Sequence, residues 1–517
     1  MAAHLRFPRS RPGALWLVLA GLLLPGCATN ALKTAPQSHD QPWAPETAAP
    51  AGGEGAVETG GAATSAGVFS VPADPQVAQM QPTPGIDPRR AYGLPELIDI
   101  AQTQNPLTRV AWQQARQAAL ATGMVEATYL PFISANVIGG WQDVSASLPV
   151  AIGSTSQVSS RIEGVSPQVA LQWLVFDFGQ RDALHRTARH NATAANILFN
   201  GAHQKIIHDV TRSYFLYSAA RGRVRIAEQN AVNARDISAA AQARNDEGRG
   251  TTVEVAQGRQ LVAQAQFGLV QAQGAERDAY QVLLGAMGVS PMTRLKVREA
   301  GRRALPESVG APTEAMIKAA LARRPDVLAS FSAMKASQSA IGAAQAEFMP
   351  KVFLGAVAAG GDASFSATGL PTIGQQASAT GVLLGVTVPL YDGGLRAAQL
   401  KNAESLAAAS EATFETTRDT AAREIVISAE TLRSALASYR AATALASAAA
   451  VTYDAAVDAY TSGVGDITAA TAADSGLLTA RQAQSDAHAA SLVAAANLAF
   501  VLGAMTSSEV PAGLAGR

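Results

Sequence analysis

Seven histidines are the most conspicuous side chains that could hold a metal or move a proton. Four of them form two pairs, His185/His190 and His203/His208, each five residues apart. On a helix that spacing turns the rings about 140° from one another, so neither pair presents a shared ligating face. Ordinary helix surface is the reading that spacing favours. The chain holds a single cysteine, Cys27, so no intramolecular disulfide can form. No nucleophile elbow, phosphate-binding glycine loop or zinc motif occurs, and no catalytic constellation can be assembled. No metal and no cofactor is expected. Lysine plus arginine balance aspartate plus glutamate at 40 each, which gives no reason to expect nucleic acid as a partner. An enzyme is the least favoured class.

Cys27 has a chemistry of its own. Arg6, Arg9 and Arg11 precede an apolar run from Ala14 to Leu24, followed by Pro25-Gly26-Cys27. The run is shorter than the roughly 20 residues a membrane span needs and has the length of a signal-peptide core. The stretch LLPGC resembles a bacterial lipoprotein box. That resemblance implies a signal peptide over residues 1–26 and a mature chain whose first residue, Cys27, carries lipid such as palmitate. Ala28 rather than aspartate follows, which in lipoproteins points to the outer membrane. Residues 27–91 are rich in Pro, Ala, Gly, Gln and Ser without hydrophobic period, and read as an extended linker behind the lipid.

The elements that would position any site come in two copies. Pro106 and Pro325 lie 219 apart, as do Pro131 and Pro350, so that Pro106 with Pro131 and Pro325 with Pro350 each bracket an apolar-periodic helix. Asp177/Asp392, Gly179/Gly394, Arg181/Arg396, Gly248/Gly463 and Gly250/Gly465 all keep an offset of 215. LLGAM at 283–287 and VLGAM at 501–505 differ by 218. Landmarks held in step over such distances predict two structural repeats, 92–291 and 312–506, joined by a linker at 292–311 and followed by a tail at 507–517.

Each repeat reads as helix, strand, loop, strand, very long helix, glycine turn, helix. The strands are expected at 132–141 and 168–176, and again at 351–360 and 383–391, with GDASFSATGLPTIG at 361–374 as a loop between the second pair. Val169, Leu171, Trp173 and Val175 share one strand face; adding 215 lands on Leu384, Val386, Val388 and Leu390. A half-buried sheet in a sandwich would alternate in the same way. The long helices discriminate better. Arg181 to Glu247 spans 67 residues, roughly 100 Å of helix, more than a compact domain needs. In the second copy Ile425, Ala429, Leu432, Leu436, Tyr439, Thr443, Ala446, Ala450, Tyr453, Val457 and Tyr460 recur at spacings of four and three, a heptad seam that predicts a left-handed coiled coil. Arg221 and Glu228 interrupt the corresponding stripe of the first copy.

Nowhere after the N-terminus do 18 apolar residues run together, so further membrane crossing would have to use strands. Four strands from one chain leave two open edges in lipid, each edge group costing several kcal/mol. Several chains must then share one barrel, and three would supply twelve strands, within the range of known barrels. Trp141, Trp173, Phe176, Phe178 and Tyr391 fall near strand ends, as an interfacial aromatic girdle requires.

YLPFISAN and EFMPKVFLG, LVFDFGQR and VPLYDGGLR, the two glycine turns and the terminal LGAM, in this order and duplicated, resemble the TolC family of outer-membrane efflux proteins. The resemblance covers roughly residues 92–506. It implies a membrane α+β fold, in which a homotrimer forms a 12-stranded β-barrel of four strands per chain, continuous with a coiled-coil helical tunnel across the periplasm. It implies a lipid-anchored outer-membrane exit duct of a tripartite system, serving an inner-membrane pump through a periplasmic adaptor. Type I protein secretion is the neighbouring reading. A periplasmic coiled-coil scaffold or adhesin without a channel is the reading from another class, and it leaves the doubled strand pairs unexplained. The resemblance also places the gate at the hairpin tips, marked by Gly248, Arg249 and Gly250 in the first copy and Gly463, Gly465 and Asp466 in the second. Glu254 matches a position where the family often has a pore-facing acid, and Tyr460 matches a gating tyrosine. At the equivalent later positions this chain has Ala469 and Ala472 where some members have aspartates. Asp466 reads as a helix cap or as a substitute acid; Arg249 as an adaptor contact or a solvated charge.

Overall fold

In the computed structural model the chain divides into two units, Met1–Gln81 and Pro82–Arg517. The structure describes residues 75–78, 85–152, 155–299, 305–367 and 372–505. Cys27, the signal and most of the linker, and the tail at 507–517 lie outside these residues, and only a turn at 75–78 belongs to the first unit.

The second unit opens with β1 (Ala91–Tyr92), α1 (Leu94–Gln104) and α2 (Pro106–Ala127), then β2 (Phe132–Ile152), β3 (Thr155–Phe176), α3 (Gln180–Asp246) and α4 (Thr252–Met287). After β4 (Lys296–Val297) the order recurs: α5 (Glu314–Leu321), α6 (Pro325–Ala346), β5 (Lys351–Ala367), β6 (Ile373–Thr387), α7 (Leu395–Thr461) and α8 (Ile467–Val501). The proline-bracketed helices α2 and α6 are each 22 residues, and the long helices α3 and α7 each 67. Proline sits at the start of α2 and α6, where its missing N–H is no loss. The short helices α1 and α5 and the parallel pair of β1 with β4 were not expected; two-residue strands carry no period to detect.

The four long strands form one antiparallel sheet in the order β2-β3-β5-β6. They run beyond the apolar stretches expected from the sequence. β2 continues to Ile152 and β3 begins at Thr155, while most of the expected loop at 361–374 is strand to Ala367. Conversely β6 stops at Thr387 rather than at residue 391, because Pro389 has no N–H to donate to the ladder.

Register joins the two apolar faces into one. Val169 lies opposite Ala358, Leu171 opposite Ala356 and Trp173 opposite Leu354, which in turn faces Leu384. A bulge between Leu174 and Phe176 brings Phe176 opposite Val352 at the base of this face. The opposite face carries Asn136, Gln168, Gln172 and Gly385 with a scatter of apolar residues, and the Phe353 ring lies across Gly385, where a Cβ would stand 2.3 Å from it.

The long helices pair as hairpins, α3 with α4 and α7 with α8, and α8 also packs on α3. Most of the heptad stripe on α7 is buried, from Ile425, Ala429, Leu432 and Leu436 to Ala446 and Tyr460, though Thr443 is exposed. On α3 the buried stripe sidesteps Arg221 and Glu228 by one residue, running Ala220, Val224, Ala227, Ala231 and Ala234. Arg221 is half-buried, its guanidinium 3.2 Å from Glu299 and 3.9 Å from Glu276. The largest core gathers Leu97, Ile206, Val210, Tyr214, Leu283, Leu284 and Met287 with Leu492 and Met505, binding α1, α3, α4 and α8 together. Among the described residues no helix is long and apolar enough to cross a membrane.

Candidate functional site

Two regions bear on function: the free ends of the helical hairpins and the sheet with its junctions to the helices.

Both hairpin tips have one backbone design. In the first, the N–H groups of Arg249 and Gly250 both donate to the Arg244 carbonyl at 2.8 Å; in the second, Val464 and Gly465 donate to the Ala459 carbonyl at 3.0 and 2.9 Å. Gly248 and Gly463 take φ of +72° and +86°, the left-handed conformation that ends each long helix. Gly250 and Gly465 have no room for a side chain, since a Cβ would meet Asn245 N at 2.9 Å or Ala459 C at 3.1 Å. The spacing of two glycines is therefore a steric requirement in both turns.

The side chains differ. Thr251 caps α4 by accepting from the Glu254 N–H at 3.2 Å, and the Glu254 carboxylate accepts from the Thr251 N–H at 3.2 Å. This reciprocal box occupies Glu254 with the helix start and leaves it half-buried. Asp466 caps α8 through the Ala469 N–H at 2.7 Å and is exposed, with no reciprocal partner. Ala472 is exposed on the same helix. Arg249 is exposed and paired with Glu247.

Tyr460 lies fully inside the tip, packed with Ile237, Ala241, Leu261, Ile467 and Ala470. Its hydroxyl has no hydrogen-bond partner among the described residues. Burial, followed by the charge of Glu254, pushes its phenol up from the ordinary tyrosine value. Arg244 of the first hairpin crosses to it: the guanidinium stands 4.9 Å from the ring centroid, and Nη1 donates to the Tyr460 carbonyl at 2.7 Å. Arg244, Glu254 and Tyr460 are thus brought together from three helices. Sequence reading missed Arg244; its place in the last turn of α3, where a cation suits the helix end, was the available signal.

At the junctions, DFGQR and DGGLR fold as two versions of one device. Asp177 Oδ2 accepts from the Arg181 N–H at 2.9 Å and from Arg181 Nε at 2.8 Å. The same guanidinium donates to the carbonyls of Leu174, Thr128 and Val175 and lies 4.7 Å from the Tyr129 ring centroid. In the second copy Asp392 accepts from Arg396 N–H and Nε, and Arg396 Nη1 donates to the Pro389 carbonyl at 3.0 Å. Gly179 and Gly394 turn the chain at φ of +91° and +90°. A strand's last carbonyls and a helix's first N–H groups are thereby satisfied within seven residues, which is why strand can feed directly into helix.

The aromatic candidates separate into two levels. Trp173, Phe176, Phe178 and Tyr391 lie at the helix end of the sheet, with the Trp173 indole donating to the Tyr129 carbonyl at 2.8 Å and the Phe176 and Phe178 rings edge-to-face at 4.7 Å. Trp141 stands well up β2, opposite Glu163. From Ile133 to Trp141 is about 26 Å along the strand. On the same face β2 turns polar beyond Trp141, with Asp143 opposite Arg161 of β3, whereas β5 and β6 turn polar lower, with Asp362 opposite Gln376 at the level of Val165 and Gly139, and Thr380 opposite Ala358. Below Trp141, Ile133, Val137, Val169, Val382, Leu384 and Val386 are all exposed.

The histidines among the described residues lie along the long helices α3 and α8. His185 meets Glu126 at 3.0 Å and His208 meets Asn497 at 2.7 Å, while His203 stacks edge-on with Phe199.

Comparison with known proteins gives this geometry a family. The chain is 25% identical over 434 residues to protein CyaE of Bordetella pertussis, covering 83% of this chain and 88% of that one. It is 27% identical over 349 residues to outer membrane protein OprJ of Pseudomonas aeruginosa, covering 66% and 70%. Among solved structures, the outer-membrane channel OprN aligns with a TM-score of 0.67 at 21% identity, covering 81% of this chain and 94% of its own. The channel VceC of Vibrio cholerae aligns with a TM-score of 0.66 at 19% identity, covering 79% and 96%. The sequence profile described as "Outer membrane efflux protein" matches residues 97–289 and 316–504, well over half of the chain. The chain belongs to the outer membrane efflux protein family.

Proposed function

We propose that three copies of this chain build one duct, a 12-stranded barrel in the outer membrane prolonged by a helical tunnel, and that it passes small molecules delivered by an inner-membrane pump through an adaptor docked at the hairpin tips. The observation that carries this reading is the exposed apolar belt on one face of the four-stranded sheet, which runs from Ile133 about 26 Å up β2 to Trp141 and ends lower in β6, after Val382. Tilted by about 40°, a belt of that length is roughly 20 Å tall, close to the apolar band of outer-membrane barrels. β2 and β6 each lack a partner on one side within the chain, and in hydrocarbon those edges require neighbouring copies. The two halves of the chain read as repeats of one unit, each supplying two strands and one helical hairpin. Trp141 and the lower aromatics are assigned to the two membrane interfaces, and Cys27 to lipid attachment in the outer membrane.

Efflux is favoured over polypeptide secretion because relatives bear the names cation efflux system protein CusC and pyoverdine export outer membrane protein OpmQ. In this reading Arg249 and the glycine turns meet the adaptor, and Glu254, Tyr460 and Asp466 shape the inner aperture. The test is purification in detergent followed by planar-bilayer recording. A trimer that dissociates on heating and gives unitary conductance steps is expected; a monomer without conductance would overturn the proposal. Cys27→Ser is expected to abolish labelling by palmitate, and persistent labelling would refute the lipid assignment. Glu254→Gln and Glu254→Ala are expected to alter conductance or cation preference, and no change in either would remove Glu254 from the aperture.

A further inference from the structure

Asp474, two turns into α8, is a carboxylate at the seam between the two hairpins with almost no solvent contact; it is 1% exposed. Its Oδ1 accepts from Asn233 Nδ2 of α3 at 3.1 Å. Its Oδ2 is buried without a hydrogen-bond partner among the described residues. Beside it lies a cavity of about 70 Å³ between α3, α4 and α8, lined on the α3 side by the buried Asn230. The opposite charge acting on Asp474 is Arg481, one helical repeat along α8. Across the seam, Tyr453 of α7 senses Asp474 together with Asp236 of α3, Asp454 of α7 and Arg481. The α4 wall contributes Leu261, Gln264, Ala265 and Gly268, none of which titrates.

A carboxylate buried with one amide donor is expensive as an anion and much less so as a neutral acid. We infer that Asp474 is a proton-binding site that couples the packing of the second hairpin against the first to pH: neutral when the hairpins are closed, ionised as they part and water reaches Oδ2. Burial pushes its carboxyl above the ordinary aspartate value, against the smaller opposing effects of Asn233 and Arg481. For an acid raised in the packed state, the stabilisation is complete at low pH and is lost as pH rises through the packed-state value. The seam is therefore tightest in acid and loosens toward neutrality. This concerns hairpin packing and stands whether or not the chain conducts.

Amide hydrogen exchange on the full-length protein in detergent tests it, read at residues 227–241 and 467–482. In the wild type, protection corrected for intrinsic exchange is expected to be highest in acid and to fall at least about fivefold as pH is raised from about 4, the ordinary aspartate range, to neutrality. Asp474→Asn, which keeps the shape of the neutral acid, is expected to flatten that dependence while retaining protection near the acid-side value. Asn233→Ala removes the donor that favours the anion and is expected to move the midpoint upward. A flat wild-type profile, an equal slope in Asp474→Asn, or an unmoved midpoint in Asn233→Ala would each overturn the inference. So would an infrared spectrum lacking any acid carbonyl band that Asp474→Asn removes at low pH, the outcome expected if a bound cation kept the group ionised.

Discussion

The two strand-to-helix junctions have nearly the same backbone and very different commitments. Asp177 and Arg181 are both buried, and the guanidinium reaches three carbonyls besides its carboxylate. Asp392 is more open, and Arg396 reaches one carbonyl. At the turn itself the first copy places Phe178 at φ +52°, where the second has Gly393 at +69°. A phenylalanine held in the left-handed region is strained, and the contact of this ring with Phe176 offsets that cost. The hairpin tips divide in a parallel way. The first carries the charged pair Arg249–Glu247 and the reciprocal cap, whereas the second exposes Val464 and buries Tyr460. The lesson is that a repeated backbone fixes where the chain turns, while each copy assigns its side chains to different neighbours.

The largest effect that would sharpen this contrast is expected at the junctions. Arg181→Ala strands a buried Asp177 and should cost about 3–5 kcal/mol, read as a lowered denaturation midpoint. Arg396→Ala should cost distinctly less, because water can reach Asp392; equal losses would break the comparison. At the tips, Arg244→Ala removes the cross-hairpin bond and the cation–ring contact and should cost about 1–2 kcal/mol, seen as faster amide exchange at 460–470. Arg249→Ala should leave the same amides unchanged. The two caps come next. Thr251→Ala and Asp466→Ala should each cost about 1 kcal/mol, with the larger loss at Asp466, because after the first substitution the N–H of residue 251 can still donate to Glu254. The smallest net change is expected at Phe178→Gly, where relief of about 1 kcal/mol of backbone strain offsets a ring contact of similar size. A large loss there would show that the ring, rather than the turn, governs the first junction.

Much of this fold was legible in the chain itself. The prolines at 106 and 325, the paired glycines of the tips and the motifs beginning at Asp177 and Asp392 mark places where only certain backbones are allowed. The first 67-residue helix accordingly falls within a residue of its expected bounds. The terminal motif misled. LGAM recurs at an offset of 218, yet the left-handed glycines that end the helices are Gly288 and Gly503, 215 apart. In the first copy the helix runs through the motif to Met287; in the second it stops at Val501 and the motif lies beyond it. Met287 and Met505 nonetheless enter the same core, so the motif tracks core packing rather than helix length. Strand ends were equally hidden, because pairing continues where the apolar alternation has ceased.

What the sequence determined by itself was therefore the local grammar: where helices start, where they must turn, which strand face is apolar and that each pattern occurs twice. These depend on φ restrictions, caps and periodicity, all of which act within a few residues. Only the tertiary structure decided that Arg244 reaches Tyr460 and that Asp474 is shut into the seam with Asn233. Those outcomes depend on which faces of distant helices meet, and side chains 216 or 241 residues apart leave no mark on one another's sequence.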